Sequence, residues 1–174
     1  MTSKLKTDVL ETVSGSGTIA LTNQLSGMTS ASVPAGSVLQ VVSTHYSTQL
    51  YSTSGTHTDT GLTATITPSS TSSKILILVN QNGIFKHSGN VGTAANLKLL
   101  KGSTNLKTFG TESAVSYASD QQEIGTVSFN FLDSPSTTSA TTYKTTYAST
   151  VNGQGVNVQR GGCSSSITLM EIAQ

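Results

Sequence analysis

Between residues 61 and 80 two apolar runs meet across a short polar break, and each has the pattern of a β-strand. In the first, Leu62, Ala64 and Ile66 alternate with Thr63, Thr65 and Thr67. Successive side chains of a strand point to opposite faces, so this run predicts a half-buried strand with one apolar and one threonine face. Pro68 and the serines after it stop the run. Proline brings no N–H to a ladder, and serine bonds its own backbone in turns. Ile75, Leu76, Ile77, Leu78 and Val79 then follow with no polar residue among them. A run this short makes a poor helix, and its β-branched content predicts a central strand covered on both faces. Together the two runs predict an antiparallel strand pair at the heart of an all-β domain.

Composition narrows the function classes. Charged residues are 10% of the chain and the formal net charge is +1. A nucleic-acid binder needs a basic face to neutralise phosphates, so that class is set aside. Ser and Thr make up about a third of the chain. Threonine favours strands and serine favours turns, which again reads as all-β. The apolar fraction, 34%, is thin for a globular core. With so few charges it predicts surface buried between subunits, and a homotrimer is expected. Cys163 is the only cysteine, so an intrachain disulfide is excluded. It is expected to be a small, buried or partly buried residue. Lys4 and Lys6 are not followed by the apolar core of a secretory signal. No run approaches the roughly 18 apolar residues of a membrane span. The expectation is a protein made in a cytoplasm, without membrane insertion.

Residues 1–35 read differently from the rest. Leu5, Val9, Leu10 and Val13 fit a helix with Ser3 as its cap, while Leu5, Val9 and Val13 also share one face of an extended chain. Both readings stand. Residues 14–17 are Ser-Gly-Ser-Gly and break whatever precedes them. Residues 18–22 form a short strand candidate. So little apolar surface cannot offset the entropy of folding alone, so the segment is expected to order against a partner, as an attachment arm or stalk. From residue 36 onward strand signals recur at short intervals between Gly, Ser and Asn turns. They cover 37–46, the two runs already described, and a hairpin of 95–101 with 105–109 around Gly102. A weak strand is read at 115–119. Residues 124–132 place Val127, Phe129 and Phe131 on one face. Residues 141–151 place Tyr143, Thr145, Tyr147 and Ser149 on one face. Short and closing strands are read at 156–159 and 165–172. No helix is read after residue 35, so parallel α/β folds are excluded for want of crossovers. The prediction is a jelly-roll β-sandwich of roughly eight strands over residues 36–174, preceded by the extended arm 1–35.

Several pieces carry a resemblance. They are Gly36-Ser-Val-Leu-Gln-Val-Val-Ser43, the whole of 61–77, Phe131-Leu-Asp-Ser-Pro135, and the closing Ser165-Ser-Ile-Thr-Leu-Met-Glu-Ile172. The chain resembles virion surface proteins of tailed bacteriophages, in particular phages of marine bacteria and cyanobacteria. The resemblance spans most of residues 36–174 and the Ser/Gly character of the arm. It implies a fibre, spike or surface-knob protein of the virion, with a trimeric jelly roll similar to the tumour-necrosis-factor-like class. It implies that residues 1–35 hold other virion proteins. It names no catalytic residue.

Residue chemistry adds little. His45, His57 and His87 are the histidines, none at the close spacing of a local ligand pair, and only His57 has a nearby carboxylate, Asp59. They read as solvated loop histidines, and no metal or cofactor is expected. No Gly-x-Ser-x-Gly elbow occurs at a strand-to-helix turn, no phosphate-binding loop is present, and the acidic residues are scattered. No catalytic residue is assigned. Aromatic rings fill cores and interfaces and also bind sugars. Tyr143, Tyr147, Phe129 and Phe131 are expected in the trimer core or interface. Tyr46 and Tyr51 flank a loop and are candidate surface contacts for a host glycan or receptor. The function expected is a non-enzymatic, trimeric fibre or spike protein that its arm anchors and that contacts the host surface. The alternatives are a capsid decoration protein clamping shell subunits and, from another class, a carbohydrate-processing enzyme.

Overall fold

The computed structural model of the chain describes residues 33–87, 89, 91–117 and 123–174. The readings made for residues 1–32, and the end of the weak strand at 118–119, lie outside the described residues. Among the described residues ten strands follow one another: β1 (Val38–Tyr46), β2 (Leu50–Ser52), β3 (Thr58–Ile66), β4 (Lys74–Lys86), β5 (Thr93–Lys101), β6 (Thr104–Ser116), β7 (Glu123–Asp133), β8 (Thr141–Ser149), β9 (Val156–Val158) and β10 (Ser165–Ile172). The alternation in the sequence builds them. In β3 Leu62, Ala64 and Ile66 are buried while Thr63 and Thr65 are exposed. In β7 Val127, Phe129 and Phe131 turn inward between exposed Ser128, Asn130 and Leu132.

Every pairing is antiparallel. One sheet runs β1-β10-β4-β7, and the short β9 and β2 extend it from the far end of β4. The other runs β3-β8-β5-β6. With β2 and β9 set aside as additions, eight strands remain and cross between the sheets in the order of a jelly roll. The fold class read from the sequence is therefore the fold observed.

The expected pairing of the two runs at 61–80 is corrected. β3 pairs with β8, and β4 pairs with β10 and β7, so the two runs lie in different sheets. Residues 67–73 turn a corner between layers instead of closing a hairpin. The inward faces of the two strands meet across the core, in one cluster of Leu62, Ala64, Ile66, Ile75, Ile77 and Val79. A second cluster around Ile84, Leu97, Tyr147 and Val158 fills the other end of the sandwich. Between them, at the register where β4 bulges around Gly83, lies a buried polar seam. Thr145 Oγ1 donates to the side-chain oxygen Oε1 of Gln81 in the opposite sheet (3.1 Å), its hydroxyl also meets that of Thr60 (2.6 Å), and the Gln81 side-chain amide Nε2 donates to Ser165 Oγ (3.0 Å). Buried polar groups need partners, and this seam supplies them across the two layers.

Strand direction gives the molecule two distinct ends. At one end lie the entry to β1, the end of β10, and the turns at 67–73, 102–103 and 134–140. Gly36 N–H donates to the Ala173 carbonyl (2.8 Å) and Ala173 N–H to that of Ser37 (2.9 Å), so the chain enters β1 beside its own last strand. At the other end lie 47–57, 87, 89, 91–92, 117 and 150–164, with the short strands β2 and β9.

Candidate functional site: an uncovered sheet face and a loop end

The aromatic residues fall into two groups. Tyr143 and Tyr147 point inward from β8 and are buried at 0% and 2% exposure. Phe129 and Phe131 point inward from β7, partly buried against the same core, and Phe129 stacks on Phe109 at 5.3 Å. All four rings pack between the two sheets of one chain, Tyr143 and Tyr147 fully and Phe129 and Phe131 in part. Burial, and then the hydrogen bond to Asp133, push the Tyr143 phenol well above its ordinary range; burial also raises that of Tyr147.

Tyr46, expected as a surface ligand contact, packs partly buried against the core and over Gly61. Gly61 has φ +81°, and a Cβ there would collide with the Tyr46 ring. Tyr51 is different: it is 57% exposed on β2, at the loop end away from the chain's entry. The histidines are dispersed. His45 points outward from β1, His57 bonds Thr146 Oγ1 through Nδ1 (3.2 Å), and His87 lies beside Tyr51. Burial, and then nearby Lys98, lower the His57 pKa, which favours the neutral ring. Asp59 pairs with Lys144 at 2.9 Å. Among the described residues no group of three His, Cys, Asp or Glu side chains gathers into a metal-binding cluster. Cys163 is half-buried in an open cleft of about 600 Å³ between Gly83 and Ser164 on one side and Ile124 and Thr126 on the other.

The outward faces of the two sheets are chemically unlike. On the β1-β10-β4-β7 sheet, register aligns Val41 with Met170, Met170 with Leu76, and Leu76 with Leu132. This apolar row crosses four strands. Val41 is 55% and Leu132 50% exposed, Met170 and Leu76 are half-buried, and Leu78 beside them is 38% exposed. The adjoining rows hold Ser43, Thr168 and Asn130, then His45, Ser166, Asn80 and Ser128. Among the described outward positions on these rows the charged one is Lys74, at the edge. The other sheet carries Lys98 and Lys144 outward beside Thr63 and Thr65. So β4, predicted to be covered on both faces, is covered by the described residues on one. The run 75–79 signalled the second face correctly as apolar, but the row that continues it is assembled from strands far apart in sequence.

No protein-family model matches the chain, and no curated protein sequence matches it. Among solved structures, 77% of the chain aligns with the VP2 subviral particle of infectious bursal disease virus, at 15% identity and a TM-score of 0.47. The same share aligns with a structure of the Gx strain of that virus, at 12% identity and a TM-score of 0.46. Dimeric latent PorU from Porphyromonas gingivalis aligns over 82% of this chain, at 14% identity and a TM-score of 0.36. The chain spans about a third of each viral chain (32%) and 14% of PorU. At these scores the likenesses stay beside the strand pairing, which defines the jelly roll by itself.

Proposed function

We propose that this chain is a non-enzymatic structural protein of a virus particle: a trimer that residues 1–35 hold to other virion proteins, with the opposite loop end turned outward. The observation that carries the reading is the uncharged apolar row Val41–Met170–Leu76–Leu132 on one outward sheet face. Contiguous exposed apolar surface, ringed by neutral polar residues, marks an association surface. Around a rotation axis every residue near the axis approaches its own copies, so a face whose charge among the described residues is confined to Lys74 at its edge suits self-association. The two ends support the rest. Residues 33–37 bring the chain in at one end, and the exposed Tyr51 and Tyr117 lie at the other. An attachment arm and an outward-facing contact surface fit these two ends. The resemblance of residues 36–174 to phage virion surface proteins points the same way.

Copy number separates a fibre or spike from a decoration protein clamping shell subunits. Stained gels of purified virions should show few copies for the first and many for the second, and absence from virions overturns both. Turnover of a host polysaccharide by the purified protein would overturn the non-enzymatic reading.

A further inference from the structure

Exposed aromatic residues scattered singly are ordinary. Tyr51 differs because its ring is fixed in place. One part of the ring lies over the backbone of Gly155, where an added Cβ would come within 2.5 Å of Cε2 and of the hydroxyl oxygen. His87 meets the ring edge-on, with centroids 5.1 Å apart and planes at 75°. His87 is itself held. Its Nε2 bonds Asn157 Oδ1, and the Asn157 amide Nδ2 donates to the Leu50 carbonyl at 2.9 Å. Because that amide presents its oxygen to His87, Nε2 must carry the proton and donate it. Asn157 is 1% exposed and pairs directly with Tyr51 in the β2–β9 ladder. The contacts close a loop, from Tyr51 to His87, to Asn157, to Leu50 and back along the chain. Behind His87, Phe85 packs edge-on at 5.0 Å, and the Arg160 guanidinium covers Phe85 at 4.5 Å.

The strands that hold this ring, β2 and β9, are the two that the jelly-roll framework does not require. Gln49, Ser52 and Thr53 flank Tyr51 in the sequence and Gln154 precedes Gly155, all of them neutral and polar, while the Arg160 guanidinium is taken up over Phe85. A fixed, exposed aromatic face beside neutral polar residues fits a ligand that is flat and apolar on one side and hydroxylated at its rim. A pyranose ring has that form, with C–H groups on a face and hydroxyls around the edge. A protein partner would instead call for an apolar patch spreading beyond one ring. Fixing the ring beforehand removes part of the ordering cost of binding.

We propose that Tyr51 is a stacking platform for a pyranose ring of a neutral saccharide, held by Gly155, His87 and Asn157. The assignment deepens the proposed function and rests on it for its setting, a loop end that faces outward. The test uses the full-length protein with linear gluco-, galacto- and manno-hexasaccharides, read by saturation-transfer NMR, with hexagalacturonate as the acidic counterpart. Transfer is expected to the ring C–H protons of a neutral hexasaccharide. Tyr51→Ala should weaken it by about tenfold, the scale of one lost stacking contact, and Tyr51→Phe should keep it. Gly155→Ala should weaken it too, because the new methyl displaces the ring while Tyr51 remains. Melting temperature checks that each variant is folded. No transfer to any neutral member, transfer unchanged in Tyr51→Ala, or transfer to hexagalacturonate alone overturns the proposal. Those results would leave a virion-bound trimer standing, whereas a monomer absent from virions would overturn that reading and leave saccharide binding untouched.

Discussion

The hydroxyl of Tyr143 donates a 2.7 Å hydrogen bond to Asp133, and the bond crosses from one sheet to the other. Lys101, at the end of β5, reaches the same carboxylate at 2.9 Å. The two partners should not matter equally. Asp133→Ala leaves the Tyr143 hydroxyl buried without its acceptor, an expected loss of about 1–3 kcal/mol. Tyr143→Phe leaves Asp133 its lysine and should cost about 0.5–1.5 kcal/mol. Asp133→Asn keeps an acceptor for the phenol and gives up the ion pair, whose lysine is 30% exposed, so about 1 kcal/mol or less is expected. Denaturant unfolding of the three variants gives the order directly. Alkali tests the same bond. The folded pKa of Tyr143 is raised, so its contribution is complete below the ordinary tyrosine pKa of about 10 and is lost as pH rises above it. The stability gap between the native protein and Tyr143→Phe should shrink above that pH.

Glu171 gives the opposite sign. It is fully buried at an inward position of β10. Burial alone would raise its pKa; hydrogen bonds from Ser69, Gln40 and Ser73 outweigh that and lower it. Ser69 donates through both N–H (2.7 Å) and hydroxyl (2.6 Å), and Gln40 through its amide (2.6 Å), so the carboxylate pins the corner between β3 and β4. A lowered folded pKa stabilises above the unfolded value, about 4.3, and that stabilisation is lost as pH falls through the folded one. Glu171→Gln should cost about 1.5–3 kcal/mol at pH 7, as charge-assisted bonds do. The gap should close in acid. Urea titrations of both proteins from pH 7 down to pH 3 measure it, and a gap independent of pH would contradict the role given to the carboxylate.

These two residues show where sequence reading stops. The strands were legible wherever one face is apolar, because the period is local: Val127, Phe129 and Phe131 carry their own pattern. Inward Glu171 also breaks a local pattern, Ile167 and Leu169 preceding it at the same parity. Its donors, however, come from Gln40 and Ser69, which only the folded sheet order brings near. The assignment of β3 and β4 to different sheets was hidden for a similar reason. A corner and a hairpin can use the same Pro and Ser residues, and the choice is made by partners β8 and β10, late in the chain. Tyr51 was legible as a loop aromatic, whereas its support from Gly155 and Asn157 was not.

Ile77 tests the core. It is fully buried in β4, with β10 on one side and β7 on the other. Ile77→Ala should cost about 2–5 kcal/mol, a large share of the roughly 5–15 kcal/mol that holds a domain together. Ile77→Asp should be worse, since a carboxylate there would have no partner. Leu78→Asp, one residue along on the outward face, should leave the isolated fold nearly unchanged, because Leu78 is 38% exposed. Thermal melts of the pair would contradict this picture if the two aspartates were equally harmful.

The last prediction concerns the outward row itself. Val41 and Leu132 end it on the two outer strands, each about half exposed, so neither holds the single-chain core together. Replacing both by lysine places like charges on a face that otherwise carries Lys74 at its edge. If copies of the chain meet there, the charges oppose themselves across the contact and must be stripped of water, which costs far more than the lost apolar area alone. The double variant should therefore keep its β circular-dichroism spectrum and fall from trimer to monomer mass in light scattering at micromolar concentration. The paired control, Lys98→Gln with Lys144→Gln on the other sheet, changes the net charge by two in the opposite sense and should keep the trimer. A native protein that is already monomeric, or a double lysine variant that stays trimeric, would show that this face is not the one on which the subunits associate.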